Sequence, residues 1–258
     1  MSIKIGWFTS GRGTGSRAML EHTVSRIKSG DLNCDIKFIF SHREIGEGEG
    51  SDSFFQRVSD LNIPLITNSS KKFRASHDGE FEKYREEFDD QILESISQYE
   101  VDVCVLAGYL LILSPKLLKK YVFINLHPSL PGGPKGLWQE VIWQTIEQHS
   151  KSTGAMIFLV NEELDGGPPL TYAQVKLTDN KFANEWNALN EHPRPILDIK
   201  ATQGEQFPLF KKIRNAQIQI EAPLLTETLK LIANEDISLK STKENPKLPV
   251  NLTNIMRF

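Results

Sequence analysis

Asn125 and His127 stand two positions apart in the stretch INLHPSLPGG, residues 124–133. On an extended segment that spacing puts both side chains on one face and turns Leu126 to the other. A primary amide donates to a developing oxyanion, and an imidazole beside it gives or takes a proton near neutral pH. The pair suits a carbonyl under nucleophilic attack. Pro128 and the glycines that follow end the strand in a rigid turn that exposes the ring. A carboxylate to orient the imidazole is available in NEELDGGP, residues 161–168, at Asp165. A Pro-terminated strand and an acidic hairpin turn would satisfy the same spacing without any chemistry.

A second stretch, SGRGTGSR (residues 10–17), follows an apolar run and precedes a helical pattern. Glycines at alternate positions let backbone amides approach an anion, and a helix N-terminus adds partial positive charge. Ser10, Arg12, Thr14, Ser16 and Arg17 supply further donors. A phosphate is the expected ligand. The spacing is G-x-G-x-G rather than the dinucleotide G-x-G-x-x-G, and no G-x-x-x-x-G-K-[ST] follows. A tight turn that binds nothing reads the same way.

These residues need a scaffold, and the pattern around them supplies one. Short apolar runs at 3–9, 35–42, 63–67, 101–109 and 122–128 read as strands. Helical patterns fall at 16–30, 51–62 (Ser51 or Asp52 as cap), 80–100, 114–121 (Ser114 as cap, Pro115 at the first helical position) and 137–150. Residues 153–177 read as two strands around the Asp165 loop. Continuous apolar strands alternating with helices give an α/β fold: a mostly parallel, doubly wound, Rossmann-type sheet with a C-terminal hairpin and helix. Ligands of such sheets sit at the carboxyl ends of the strands, where the Gly-rich turn, AGYLLILS (107–114) and Asn125/His127 all fall. Residues 1–178 are expected to form the core and 179–207, polar with several prolines, an irregular insertion or lid. A helix over 208–234, kinked or interrupted at Pro223, and a polar tail to 258 complete the single domain.

The 258 residues carry a formal net charge of −3, so no general nucleic-acid surface is expected. Lys71, Lys72 and Arg74 read as a solvated basic face. Cys34 and Cys104 support neither a disulfide framework nor a zinc site, and Cys104 is expected to be buried. No apolar run reaches membrane-spanning length and no signal segment opens the chain, so a cytoplasmic protein without membrane contact is expected. The remaining histidines, His22, His42, His77, His149 and His192, read as structural or solvated.

With NLHPSLP, ELDGGP and VDVCVLAGYLLILSP in place, the sequence resembles the formyltransferase family that uses 10-formyltetrahydrofolate, and most closely a purine-pathway member. The likeness runs from residue 1 to about 178 and resumes near 208–240. It implies that Asn125 binds the formyl oxygen, that His127 acts as general acid, and that Asp165 tunes His127 and helps relay a proton. It implies a folate site walled by Leu110, Leu111, Ile112, Leu113, Val160, Asn161, Glu162 and Leu164, with Arg85 near the folate. It implies an acceptor site of Gly13, Thr14, Gly15, Ser16, Arg17, Pro128 and Glu221, the substrate phosphate lying on the Gly15-Ser16-Arg17 or the Gly13-Thr14 register. No metal is implied. The expected partners are a phosphorylated amine and the folate, in a monomer or homodimer.

Several positions depart from the family. Trp138 and Phe158 stand where His is common, Leu111 where Arg is common, SLPGGPKG stands where SLLP is usual, and 179–208 is longer than usual. They leave three other readings open: an amino sugar nucleotide as acceptor, hydrolysis of the formyl-folate, and folate or nucleotide binding without catalysis. Two further alternatives fit less well. A methionyl-tRNA formylase would need a larger basic C-terminal domain, and a NAD-dependent dehydrogenase is opposed by the glycine spacing.

Overall fold

The computed structural model describes residues 2–191, 195–239 and 247–255. His192, Pro193 and parts of the tail lie outside the described residues. Strands β1 (Ile3–Thr9), β2 (Cys34–Ser41), β3 (Leu65–Thr67), β4 (Val103–Leu106) and β5 (Phe123–His127) run parallel. β6 (Ser152–Leu159) and β7 (Pro169–Lys176) form the expected antiparallel hairpin beside β5, and β8 (Val250–Asn251) pairs with β7. The strand order is β3-β2-β1-β4-β5-β6-β7-β8, so the winding reverses between β1 and β4. That switch point is where the fold opens a crevice at the carboxyl edge. Ser10 N–H donates to Gly108 O across it at 3.0 Å, joining the Gly-rich turn to the segment after β4.

Helices cover both faces. The larger core lies under α1 (Thr14–Lys28), α2 (Glu49–Asp60), α6 (Trp138–Glu147) and α9 (Pro208–Ala233). The smaller, aromatic core packs Phe8, Phe38, Phe40 and Phe123 against Phe73 of α3 (Ser70–Ser76) and Phe88 of α4 (Arg85–Ile96), with α5 (Pro115–Lys120) closing the layer. Cys104 is fully buried within it, as expected. β5 serves both cores: Ile124 and Leu126 face the larger, Phe123 the smaller, and Asn125 and His127 continue the Phe123 side to the edge.

Several expectations need correction. The segment 80–100 is not one helix: a 3-10 turn, Phe81–Tyr84, precedes α4, although Phe81, Phe88, Ile92 and Ile96 are buried as the periodicity requires. α2 starts at Glu49 after Gly48, so neither Ser51 nor Asp52 caps it; Ser51 Oγ donates back to Gly48 O. Ser114 does precede α5, but its hydroxyl makes no cap bond. The basic run at 71–74 lies on α3, which Ser69 caps by accepting from Lys72 N–H.

Residues 179–191 and 195–207 are not irregular. They form α7 (Asn180–Glu191), α8 (Ile196–Thr202) and a 3-10 turn, Gly204–Gln206. Phe182, Leu189 and Ile199 bury an apolar stripe, while Pro195 and Pro208 mark helix starts rather than a coil. α9 runs unbroken through Pro223. Proline there removes a backbone donor at a cost of about 3 kcal/mol, but buried residues along the whole helix hold it on the sheet, from Leu209 to Ile232.

Candidate active site

The site forms where β5 ends. His127 is the last residue of the strand and Asn125 lies two before it, half-buried. Cross-strand neighbours in an antiparallel pair share a face. Phe158 and Met156 of β6, opposite Asn125 and His127, therefore form an apolar floor beside them. Phe158 is fully buried.

His127 is fixed at both nitrogens. Its Nε2 lies 2.9 Å from Pro134 O. A carbonyl only accepts, so Nε2 carries a proton. Nδ1 is then the atom that exchanges one, and it faces Asp165 Oδ2 at 3.8 Å. That is too long for a hydrogen bond but close enough for charge to be felt between side chains 4% and 10% exposed. The same Oδ2 accepts from Gly136 N–H at 3.0 Å. The loop after β5 thus holds the ring through Pro134 and the carboxylate through Gly136. Lys135 between them pairs with Glu163 at 2.7 Å, clamping that loop to the Asp165 loop.

Asp165 adopts a left-handed backbone with φ +48°. Aspartate tolerates that region better than most residues. Two residues on, Gly167 passes so close to Leu159 O that any Cβ would overlap it. The LDGG sequence is therefore what lets the hairpin loop fold back beneath His127.

The sequence also missed Gln217. It is fully buried on α9, and its Nε2 donates to Pro128 O and to Thr153 Oγ1, each at 2.9 Å. One side chain therefore pins the turn after β5 to the start of β6. A glutamine in an amphipathic helix gives no sign of this in sequence.

The apolar wall is split. Leu110, Ile112 and Leu164 are exposed, at 55, 46 and 59%. Leu113 is buried in the smaller core, and Leu111 and Val160 pack against it. Exposed apolar side chains from the β4 and β6 ends fit a flat, partly apolar ligand. Asn161 Oδ1 accepts from Glu163 N–H at 3.0 Å, shaping its loop, and Glu162 is exposed. Arg85 opens α4, pairs with Glu82, and keeps Nε buried without a partner. Asp89 in turn accepts Ser114 N–H at 2.6 Å, tying α4 to this wall.

At the Gly-rich turn, Gly13 caps α1 and Thr14 begins it, with no acidic residue in the first turn. The amides of Thr14, Gly15 and Ser16 thus fall among the helix's unpaired donors. Arg17 N–H already bonds Gly13 O, and its guanidinium donates to Ser53 Oγ at 2.7 Å. Ser16 is buried and its hydroxyl donates to Gly13 O. The open amides therefore run from Thr14 to Ser16, across the two expected registers, and the Arg17 side chain points to α2. Glu221 of α9 reaches the same place, its Oε2 3.5 Å from where a Gly15 Cβ would sit.

Among the described residues no cluster of three or more metal-ligating side chains occurs, and no helix is long and apolar enough to cross a membrane.

Residues 4–192 match the formyl transferase family. A phosphoribosylglycinamide formyltransferase from Haemophilus influenzae is 30% identical over 176 residues, 67% of this chain and 73% of that protein. The Escherichia coli enzyme of the same name is 28% identical over 165 residues, 63% of this chain and 69% of its own. Among solved structures, glycinamide ribonucleotide transformylase 1 from Symbiobacterium toebii superposes with a TM-score of 0.63 at 21% identity, covering 90% of this chain and 88% of that one. A formyltetrahydrofolate deformylase from Pseudomonas syringae reaches the same TM-score and identity, covering 91% of this chain and 62% of that one. At such identity the two structures speak for the fold, and the match over 4–192 speaks for more: the chain belongs to the formyl transferase family.

Proposed function

We propose that this enzyme transfers a formyl group from 10-formyltetrahydrofolate to the primary amine of glycinamide ribonucleotide, a step of purine biosynthesis. The observation that carries the reading is the Asn125, His127 and Asp165 constellation at the end of β5, within a chain whose relatives bear that name.

The amine attacks the formyl carbon, and negative charge develops on the formyl oxygen. Asn125 donates to that oxygen; one such donor is typically worth about 100- to 1,000-fold in rate. His127 works through Nδ1, because Pro134 O holds the proton on Nε2. Protonated, it faces the oxyanion, and Asp165 stabilises the imidazolium from 3.8 Å. Collapse of the tetrahedral species expels the folate nitrogen, with His127 and Asp165 relaying the proton. Leu110, Ile112 and Leu164 fit one face of the pterin, and Arg85, on the helix that Asp89 ties to this wall, fits the folate. The amides of Thr14, Gly15 and Ser16 fit the acceptor phosphate, with Glu221 beside them and Pro128, held by Gln217, at the turn after β5. Residues 1–178 and α9 form the catalytic unit, with α7 and α8 as an addition on the α9 side. The enzyme acts in the cytoplasm.

Replacing Asn125 or His127 by Ala tests the assignment. Each variant is expected to lose about 100-fold or more in kcat with an unchanged far-UV spectrum. Turnover near the parent rate in both would remove the two residues from the chemistry.

A further inference from the structure

Three polar side chains of α9, Arg214, Gln217 and Glu221, share one stripe of the helix at i, i+3 and i+7. Gln217 holds the turn after β5, and Glu221 reaches Gly15. Arg214 reaches Gly15 as well: its Nη2 lies 3.6 Å from where a Gly15 Cβ would sit. Its side chain is only 17% exposed. One face of the guanidinium lies over the Trp138 ring at 4.7 Å, and one edge pairs with Glu221, Nη2 to Oε2 at 3.3 Å. The group is therefore oriented from two sides, with part of its five-donor fork left over.

We infer that Arg214 is the specificity residue for the acceptor phosphate, completing with its guanidinium fork the anion site begun by the amides of Thr14 and Gly15. Trp138 and Glu221 are its positioning residues. The inference rests on the phosphorylated-acceptor reading above. A cationic fork is needed because backbone amides alone supply partial charge to a dianion.

The test compares glycinamide ribonucleotide with its dephosphorylated riboside as acceptors, and ribose 5-phosphate with ribose as calorimetric probes. In Arg214→Met the preference for the phosphorylated acceptor, as a ratio of kcat/KM values, is expected to fall about 100-fold, carried by KM, with the KM for the formyl donor unchanged. Ribose 5-phosphate affinity is expected to fall in parallel. Arg214→Lys restores part of the preference, since it keeps the charge and loses the fork. Because Arg214→Met strands a buried Glu221, the double variant Arg214→Met/Glu221→Gln is measured too, and it is expected to melt as the parent does while still losing the preference. Equal losses on both acceptors, or an unchanged ratio, would overturn the inference. If the parent formylates neither acceptor yet binds ribose 5-phosphate through Arg214, the substrate reading fails and this one stands.

Discussion

At the scale of single residues, the site depends on which atom of His127 is free. The Pro134 carbonyl settles it by geometry, leaving Nδ1 toward Asp165. In the proposed mechanism Asp165 acts through its charge, and its left-handed backbone offers a test. Asn tolerates φ near +48° as Asp does, so Asp165→Asn removes the charge without adding strain. It is expected to retain the parent melting temperature and lose about 100-fold or more in kcat. Asp165→Ala should lose similar activity and also about 1 kcal/mol of stability, the cost of a left-handed residue other than Gly, Asn or Asp. A melting curve beside each rate separates the two effects. The Asn125/His127 pair was readable because strand spacing alone places both on one face. Arg214 was not: nothing in residues 15, 138 and 214 announces that they meet, and only the packing of α1, α6 and α9 brings them together.

At the scale of elements, the hairpin β6–β7 must turn tightly enough to carry Asp165 back to β5. Gly167→Ala places a methyl group on Leu159 O, which is backbone and cannot rotate away. The variant is expected to lose several kcal/mol in chemical denaturation, or to keep its fold with the loop displaced and activity gone. Parent-like stability and turnover together would show that the close approach is dispensable. The strands and the hairpin were legible because buried parallel strands read as unbroken apolar runs. The helices at 180–206 were not, because prolines and polar residues dominate the stretch. There Phe182, Leu189 and Ile199 supply only a thin apolar stripe, and packing on α6 and α9 decides the outcome. The cap of α2 was misplaced for a related reason. A serine and an aspartate near a helix start resemble a cap whether or not the chain turns there, and here it turns earlier, at Gly48.

At the scale of the molecule, two features link distant parts. The C-terminal strand β8 covers the β7 edge, with Leu252 buried against the larger core. It lay unread in a polar tail because two residues carry no period. Leu252→Ala is expected to cost about 2–5 kcal/mol, read as a lowered denaturant midpoint. An unchanged midpoint would mean the edge strand contributes nothing. The second feature is His42 at the end of β2, which burial, aided by Arg43, pushes down to about 4. Its Nδ1 meets Ser70 Oγ at 3.1 Å and its Nε2 is buried without a partner. The unfolded chain takes up this proton near pH 6.5 and the folded one only near 4. Stability is therefore full above about pH 6.5 and falls as pH drops toward 4, by about 3 kcal/mol in all. His42→Asn is expected to flatten that part of the pH profile, and an equally steep profile in the variant would assign the slope to other groups.

The most direct measurement of the proposed reaction is loss of the formyl group from 10-formyltetrahydrofolate, followed spectroscopically, with and without glycinamide ribonucleotide. Fast loss only when the amine is present, with one formylated product per folate released, is the predicted result. Loss at the same rate without it would mean that water is the acceptor and the site is a hydrolase, and no loss in either case would contradict the assignment of this acceptor.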